Sequence, residues 1–188
     1  MKKLSILVLI GLTLALACKK HTDKPATVVT PTLADTLRAA CTSPFEGHGD
    51  SSQVYLPTAF TPNGDGLNDV YRPIGVGLTS SYFSSITLKI YDTSATLVYQ
   101  STGTAIPVWD GIDQNTHVKS TKYMFYVQIK YTTAGHITDS GSTYLYLLSG
   151  TTCVNAVAAD TSKYRFSDQF EQSYGYTPDW SSMETYCH

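Results

Sequence analysis

One stretch leaves this chain little freedom. Over residues 123–131 the side chains alternate: Tyr123, Phe125, Val127, Ile129 and Tyr131 fall on one side of an extended backbone, and Met124, Tyr126, Gln128 and Lys130 on the other. Successive Cβ atoms of a strand point to opposite faces, so a strand gathers the first set onto one core-facing surface. A helix would scatter the same aromatic and β-branched side chains around its circumference. A strand this apolar needs partners, and the chain supplies them. Ile86, Leu88 and Ile90 keep the same period. Leu97-Val98-Tyr99-Gln100 follows turn residues 92–96, which predicts a hairpin. Ala134-Gly135 marks a turn before a last strand over residues 142–148. Trp109-Asp110-Gly111 predicts an indole packed on the core where the chain reverses. Short strands separated by turn clusters, with no strong helix between them, predict an all-β fold, an antiparallel β-sandwich.

The sandwich is expected to begin at Val54, with Pro57 demoting the first run to an edge or bulged strand. Val70-Tyr71 and Ile74 continue a second extended segment. Between them lies Phe60-Thr61-Pro62-Asn63-Gly64-Asp65-Gly66-Leu67-Asn68-Asp69. Gly tolerates positive φ, and Asn or Asp can bond the backbone just ahead, so this run predicts a tight turn system. Asn63, Asp65, Asn68 and Asp69 crowd oxygen atoms into it, the kind of ligand calcium takes. The alternative is a turn whose side chains bond its own backbone. No Glu closes the loop at the twelfth position, as an EF-hand loop requires.

The run from Phe60 to Asp69 resembles the opening signature of the gliding motility-associated C-terminal domain family, the type B sorting domain of type IX secretion. In that family's order follow Leu88-Lys89-Ile90-Tyr91, Leu97-Val98-Tyr99, Trp109-Asp110-Gly111, Tyr123-Met124-Phe125-Tyr126-Val127 and residues 141–148. The resemblance spans residues 54–148 and implies an Ig-like module of envelope and secreted proteins. Three features depart from it. Thr93-Ser94-Ala95 stands where the family usually carries Arg-Trp-Gly. Lys119-Ser120-Thr121-Lys122 stands where it usually carries a Pro and a Gly. The family's domain normally ends the protein, whereas here the chain runs on from Leu148 to His188.

The N-terminus reads as an address. Lys2-Lys3 precede a short apolar run from Leu4 to Leu16, too short to span a membrane. Leu14-Ala15-Leu16-Ala17-Cys18 resembles a lipobox, although Ala15 occupies the place usually held by Leu. The expected division is a lipoprotein signal peptide over 1–17 and a tether over 18–53. Acylated Cys18 would then hold the protein to a membrane. An ordinary secretory signal cut near Ala17 is the alternative. Within the tether, Leu33, Leu37 and Ala40 recur at helical spacing, with Asp35 early and Arg38 late, which predicts a short helix. Residues 42–53 read as loop.

Residues 54–149 form the predicted sandwich, and 150–188 a Cys- and Tyr-containing tail packed on it. An oxidising compartment predicts a disulfide. A Cys153–Cys187 bridge would clip the tail to the sandwich; Cys41 with either of the others is the alternative. A weakly acidic chain, formally −2, with no basic stripe is a poor match for nucleic acid. No phosphate loop, His-Glu-Xaa-Xaa-His or nucleophile elbow occurs. The chain therefore reads as a non-enzymatic, lipid-anchored outer-membrane or surface protein, with no cofactor beyond calcium. Its expected partners are an envelope protein or a surface glycan. A type IX sorting module and a carbohydrate-active enzyme are the alternatives.

Overall fold

The structure is a computed structural model that describes residues 30–41, 46–48, 53–79, 81–149, 164–167, 170–171 and 175–176. The helix is α1, Leu33–Ala40. The strands are β1 (Glu46–His48), β2 (Gln53–Tyr55), β3 (Ala59–Phe60), β4 (Ile74–Gly75), β5 (Phe83–Asp92), β6 (Leu97–Gly103), β7 (Met124–Thr133), β8 (Thr138–Leu147), β9 (Phe170–Glu171) and β10 (Gly175–Tyr176). They form a five-stranded sheet in the order β3-β8-β7-β5-β6, a three-stranded sheet β1-β2-β4 and the pair β10-β9. All pairs are antiparallel except β3 with β8.

The all-β expectation is met, and period two explains it. Ile86, Leu88 and Ile90 of β5 and Phe125, Val127, Ile129 and Tyr131 of β7 share the inner face with Leu145 and Leu147 of β8. Val54 and Leu56 close that core from the side of the smaller sheet. The first run is not the edge or bulged strand expected of it: β2 is the central strand of its sheet, and Pro57 falls after it, where the chain leaves β2 and enters β3 in the other sheet. A residue with no N–H suits a point where sheet pairing stops. The predicted hairpin forms as β5–β6, and the turn at Ala134-Gly135 joins β7 to β8.

Two assignments change. Glu46–His48, read as loop, pairs with β2. Glu46-Gly47-His48 has no apolar alternation to reveal it; the strand is defined by its backbone pairing. Tyr123 precedes β7 and packs beside Tyr146 and Tyr164 rather than in the inner core.

The outer face of the five-stranded sheet divides in two. One half is polar and open, with Thr87, Lys89, Gln128, Lys130, Ser140 and Ser142 around a shallow depression. The other half is aromatic and covered. Leu37 of α1 and Cys41 pack on Tyr126, with Met124, Tyr144, Tyr91 and Ala95 around them. Tyr164 and Phe166 pack on Ala59, Tyr146 and Leu148. This cover comes from residues 164–166 on one side and from α1, ahead of the sandwich, on the other.

The helix forms where its spacing predicts. Thr32 caps it: its Oγ1 accepts from the Asp35 amide at 3.2 Å while its own amide donates to Asp35 Oδ2 at 3.1 Å. Leu37 is buried; Leu33 and Ala40 stay exposed. No helix among the described residues is long and apolar enough to cross a membrane.

Candidate functional site

The predicted turn system leaves β3 at Phe60 and is held by its own side chains. Asp69 is the hub. Its Oδ1 accepts from the Gly64 amide at 2.5 Å and its Oδ2 from the Gly66 amide at 2.7 Å. Gly64 and Gly66 have φ of +88° and +89°, the left-handed region that favours glycine. Asn63 Oδ1 accepts from the Asp65 amide at 3.0 Å, and Asp65 Oδ1 from the Leu67 amide at 2.8 Å. Asn63 Nδ2 donates to Asp65 Oδ2 at 3.1 Å. The Asn68 carbonyl accepts from the Thr61 amide at 2.9 Å, which closes the loop. Asn68 has φ 47°, a conformation Asn tolerates better than most residues.

The four residues singled out for calcium thus stand together, and their side-chain oxygens accept from N–H groups and, at Asn68, from the Ser167 hydroxyl. A calcium ion would have to displace these donors. Among the described residues no group of three or more His, Cys, Asp or Glu side chains is placed to hold a metal ion.

The Trp109-Asp110-Gly111 turn packs against the same end of the sandwich. Trp109 is 1% exposed. Its ring meets Phe125 edge-on at 5.1 Å and lies 5.4 Å from Phe60 and 6.2 Å from Tyr99. Its Nε1 donates to the Ile112 carbonyl at 2.7 Å. A ring this enclosed serves the core and offers no face to a sugar. Asp110 Oδ1 accepts from the Ile112 amide at 3.1 Å, a local turn bond. Reciprocal backbone bonds, 2.7 and 2.9 Å, tie Trp109 to Tyr71 just beyond the turn system.

Gly111 has φ +88°, and a Cβ there would lie 3.3 Å from Leu147 Cδ1 and 3.5 Å from Pro62 Cγ. Glycine therefore fits this contact on both conformation and space. Lys119 adds a link that sequence reasoning missed: its Nζ donates to the Pro62 carbonyl. No local pattern marks it, since the pair is joined only by the fold. Phe60, Pro62, Gly111 and Trp109 are thus one packed unit, and the polar turn stands out from it.

Two departures from the family pattern meet at this same end of the sheet, where Asp92 pairs with Phe125 across β5 and β7. Asp92 is buried; its Oδ1 accepts from the Ser94 and Thr96 amides at 2.8 and 2.9 Å, and its Oδ2 pairs with Lys122. Burial opposes the charge on Asp92. Lys122 and the two amides outweigh it, so the carboxyl lies below its usual range. Ala95, in the place of the family's usual Gly, has φ 62°.

Cys41 is buried and reduced, and its Sγ donates to the Thr143 carbonyl at 3.3 Å. Burial pushes its thiol up to about 11. α1 places the sulfur over the sheet, against backbone and aromatic rings; the alternative in which Cys41 forms a disulfide would need Cys153 or Cys187. Cys18, Cys153 and Cys187 lie outside the described residues, as does the signal segment.

No curated protein matches the chain. Residues 54–149 match the CHU_C type IX secretion signal domain. That span is just over half of the 188 residues and contains both motif turns and the five-stranded sheet. It starts at the buried Val54 and stops just beyond the buried Leu148. The chain belongs to the CHU_C type IX secretion signal domain family.

Proposed function

We propose that this is a non-enzymatic, lipid-anchored protein of the cell envelope, held at the outer membrane or cell surface through Cys18. Its sandwich binds an envelope protein or a surface glycan in work associated with type IX secretion or gliding. The family is one of secretion signals rather than enzymes, which favours the non-enzymatic reading and a surface or secreted location. The observation that carries the proposal is the cover on the sheet's outer face. It comes from both flanks of the family span, α1 before it and residues 164–166 after it. A domain whose aromatic outer surface is packed by its own flanks reads as a working part of its protein.

Protease shaving of intact cells tests this, with a Cys18→Ser control. Digestion on intact cells, and release of the control from the membrane, is the expected result. Protection until the outer membrane is opened would move the protein to the periplasmic face. Retention of the control would remove the lipid anchor from the reading.

A second reading, a sorting module in the strict sense, is favoured by the family's own description. Fusing residues 54–149 to the end of a secreted reporter tests it. Export that depends on type IX secretion would establish that role, and intracellular retention would dismiss it.

A further inference from the structure

Residues 164–167 lie on a surface built entirely within the family span. Its floor is Ala59, Tyr146 and Leu148, and Tyr123, Met124 and Tyr144 pack around it. The segment lying on it comes from beyond residue 149, where the family match ends. Its main-chain contacts to that surface run through one residue. The Arg165 carbonyl accepts from the Thr58 and Ala59 amides at 2.9 and 3.2 Å, and the Arg165 amide donates to Thr58 Oγ1 at 2.9 Å.

Side chains alternate about that residue. Tyr164 and Phe166 are 4% and 2% exposed, while Arg165 is only half-buried. The Tyr164 ring stands edge-on to Tyr146 at 5.2 Å, and its hydroxyl bonds that of Tyr123. Ser167 Oγ then donates to Asn68 Oδ1 at 2.7 Å, reaching the polar turn.

We infer that this surface is a docking groove for an extended peptide with aromatic side chains at alternate positions, and that Tyr164-Arg165-Phe166 fills it in cis. The chemistry of recognition is fixed by the occupant. Main-chain bonds to the edge at Thr58 and Ala59 provide general affinity, and two aromatic pockets provide selectivity. A hydroxyl one residue further on would gain the bond to Asn68. Tethering gives the native segment an effective concentration of roughly millimolar, so it outcompetes a free peptide of similar intrinsic affinity. The groove then opens to a partner only when the tail is displaced.

The test uses the full chain and a fluorescent peptide carrying residues 162–169. Wild type and Tyr164→Ala/Phe166→Ala are titrated by anisotropy. The double variant is expected to bind at least tenfold more tightly than wild type. The same peptide with both aromatics changed to Ala is expected not to bind. Equal binding of the two peptides would overturn the inference, as would no binding to a variant that keeps its near-ultraviolet circular dichroism.

A second protein guards against misfolding of the variant: the wild-type sequence with a protease site placed between residues 150 and 163, cut after purification. Exchange of its tail for the labelled peptide supports a groove. Loss of the fold in both proteins would show that the segment is an integral part of the fold, and the inference would fail.

Discussion

The two faces of the five-stranded sheet are closed by different parts of the chain. The inner face is closed from within the family span: β5, β7 and β8 meet Val54, Leu56, Tyr71 and Trp109. The aromatic half of the outer face is closed by α1 with Cys41 and by residues 164–166, all outside that span. The inner core is therefore what makes the domain, and the outer cover is what this chain adds to it. That difference teaches where stability and variation reside. It predicts that damage to the inner face unfolds the protein, while damage to the outer cover costs less.

The largest effect should come from Trp109→Ala, which opens a void among Phe60, Tyr99 and Phe125. A loss of about 3–5 kcal/mol is expected in chemical denaturation. Leu37→Ala should cost about 2 kcal/mol, the low end for such a truncation, because a short helix can settle over the gap. Equal costs would erase the distinction between the two faces.

Asp69→Ala tests the turn system, which belongs to neither face. It strips the partner from two glycine amides and should cost about 1–2 kcal/mol. Ala95→Gly should stabilise by about 0.5–1 kcal/mol, since glycine relieves the positive φ at the loss of one methyl contact. A loss on this change would show that the Ala95 methyl, under α1, matters more than the backbone conformation. Calcium should have the smallest effect: neither its addition nor its chelation is expected to move the melting temperature. A rise with calcium that a chelator reverses would show Asp65 and Asp69 trading backbone partners for the ion.

The inner face was legible in the sequence because period two is a local property. Ile86, Leu88, Ile90 and the 125–131 set declare their side without knowledge of any partner. The turn system was legible for the same reason: Asn-Gly and Asp-Gly each bond a residue or two away. What escaped is non-local. Nothing near Lys119 points to Pro62, and nothing in Tyr164-Arg165-Phe166 names Thr58 as its neighbour. Glu46–His48 escaped because its pairing is carried by backbone, which every sequence has. Tyr123 was misplaced by one step of alternation, because the strand begins only at Met124.

Cys41 turns the roof of this sheet into something that can be timed. With its thiol pushed up to about 11, on the order of one sulfur in ten thousand is a thiolate at pH 7, and α1 shields even that fraction. A thiol reagent can then reach Cys41 only in the brief intervals when the helix lifts. If lifting and closing are fast, the labelling rate is the rate of an exposed thiol multiplied by the fraction of time spent open. The logarithm of the observed rate over the exposed-thiol rate, multiplied by −RT, is the free energy holding α1 down. The same shielding delays oxidative exchange at Cys41 for as long as the helix stays docked.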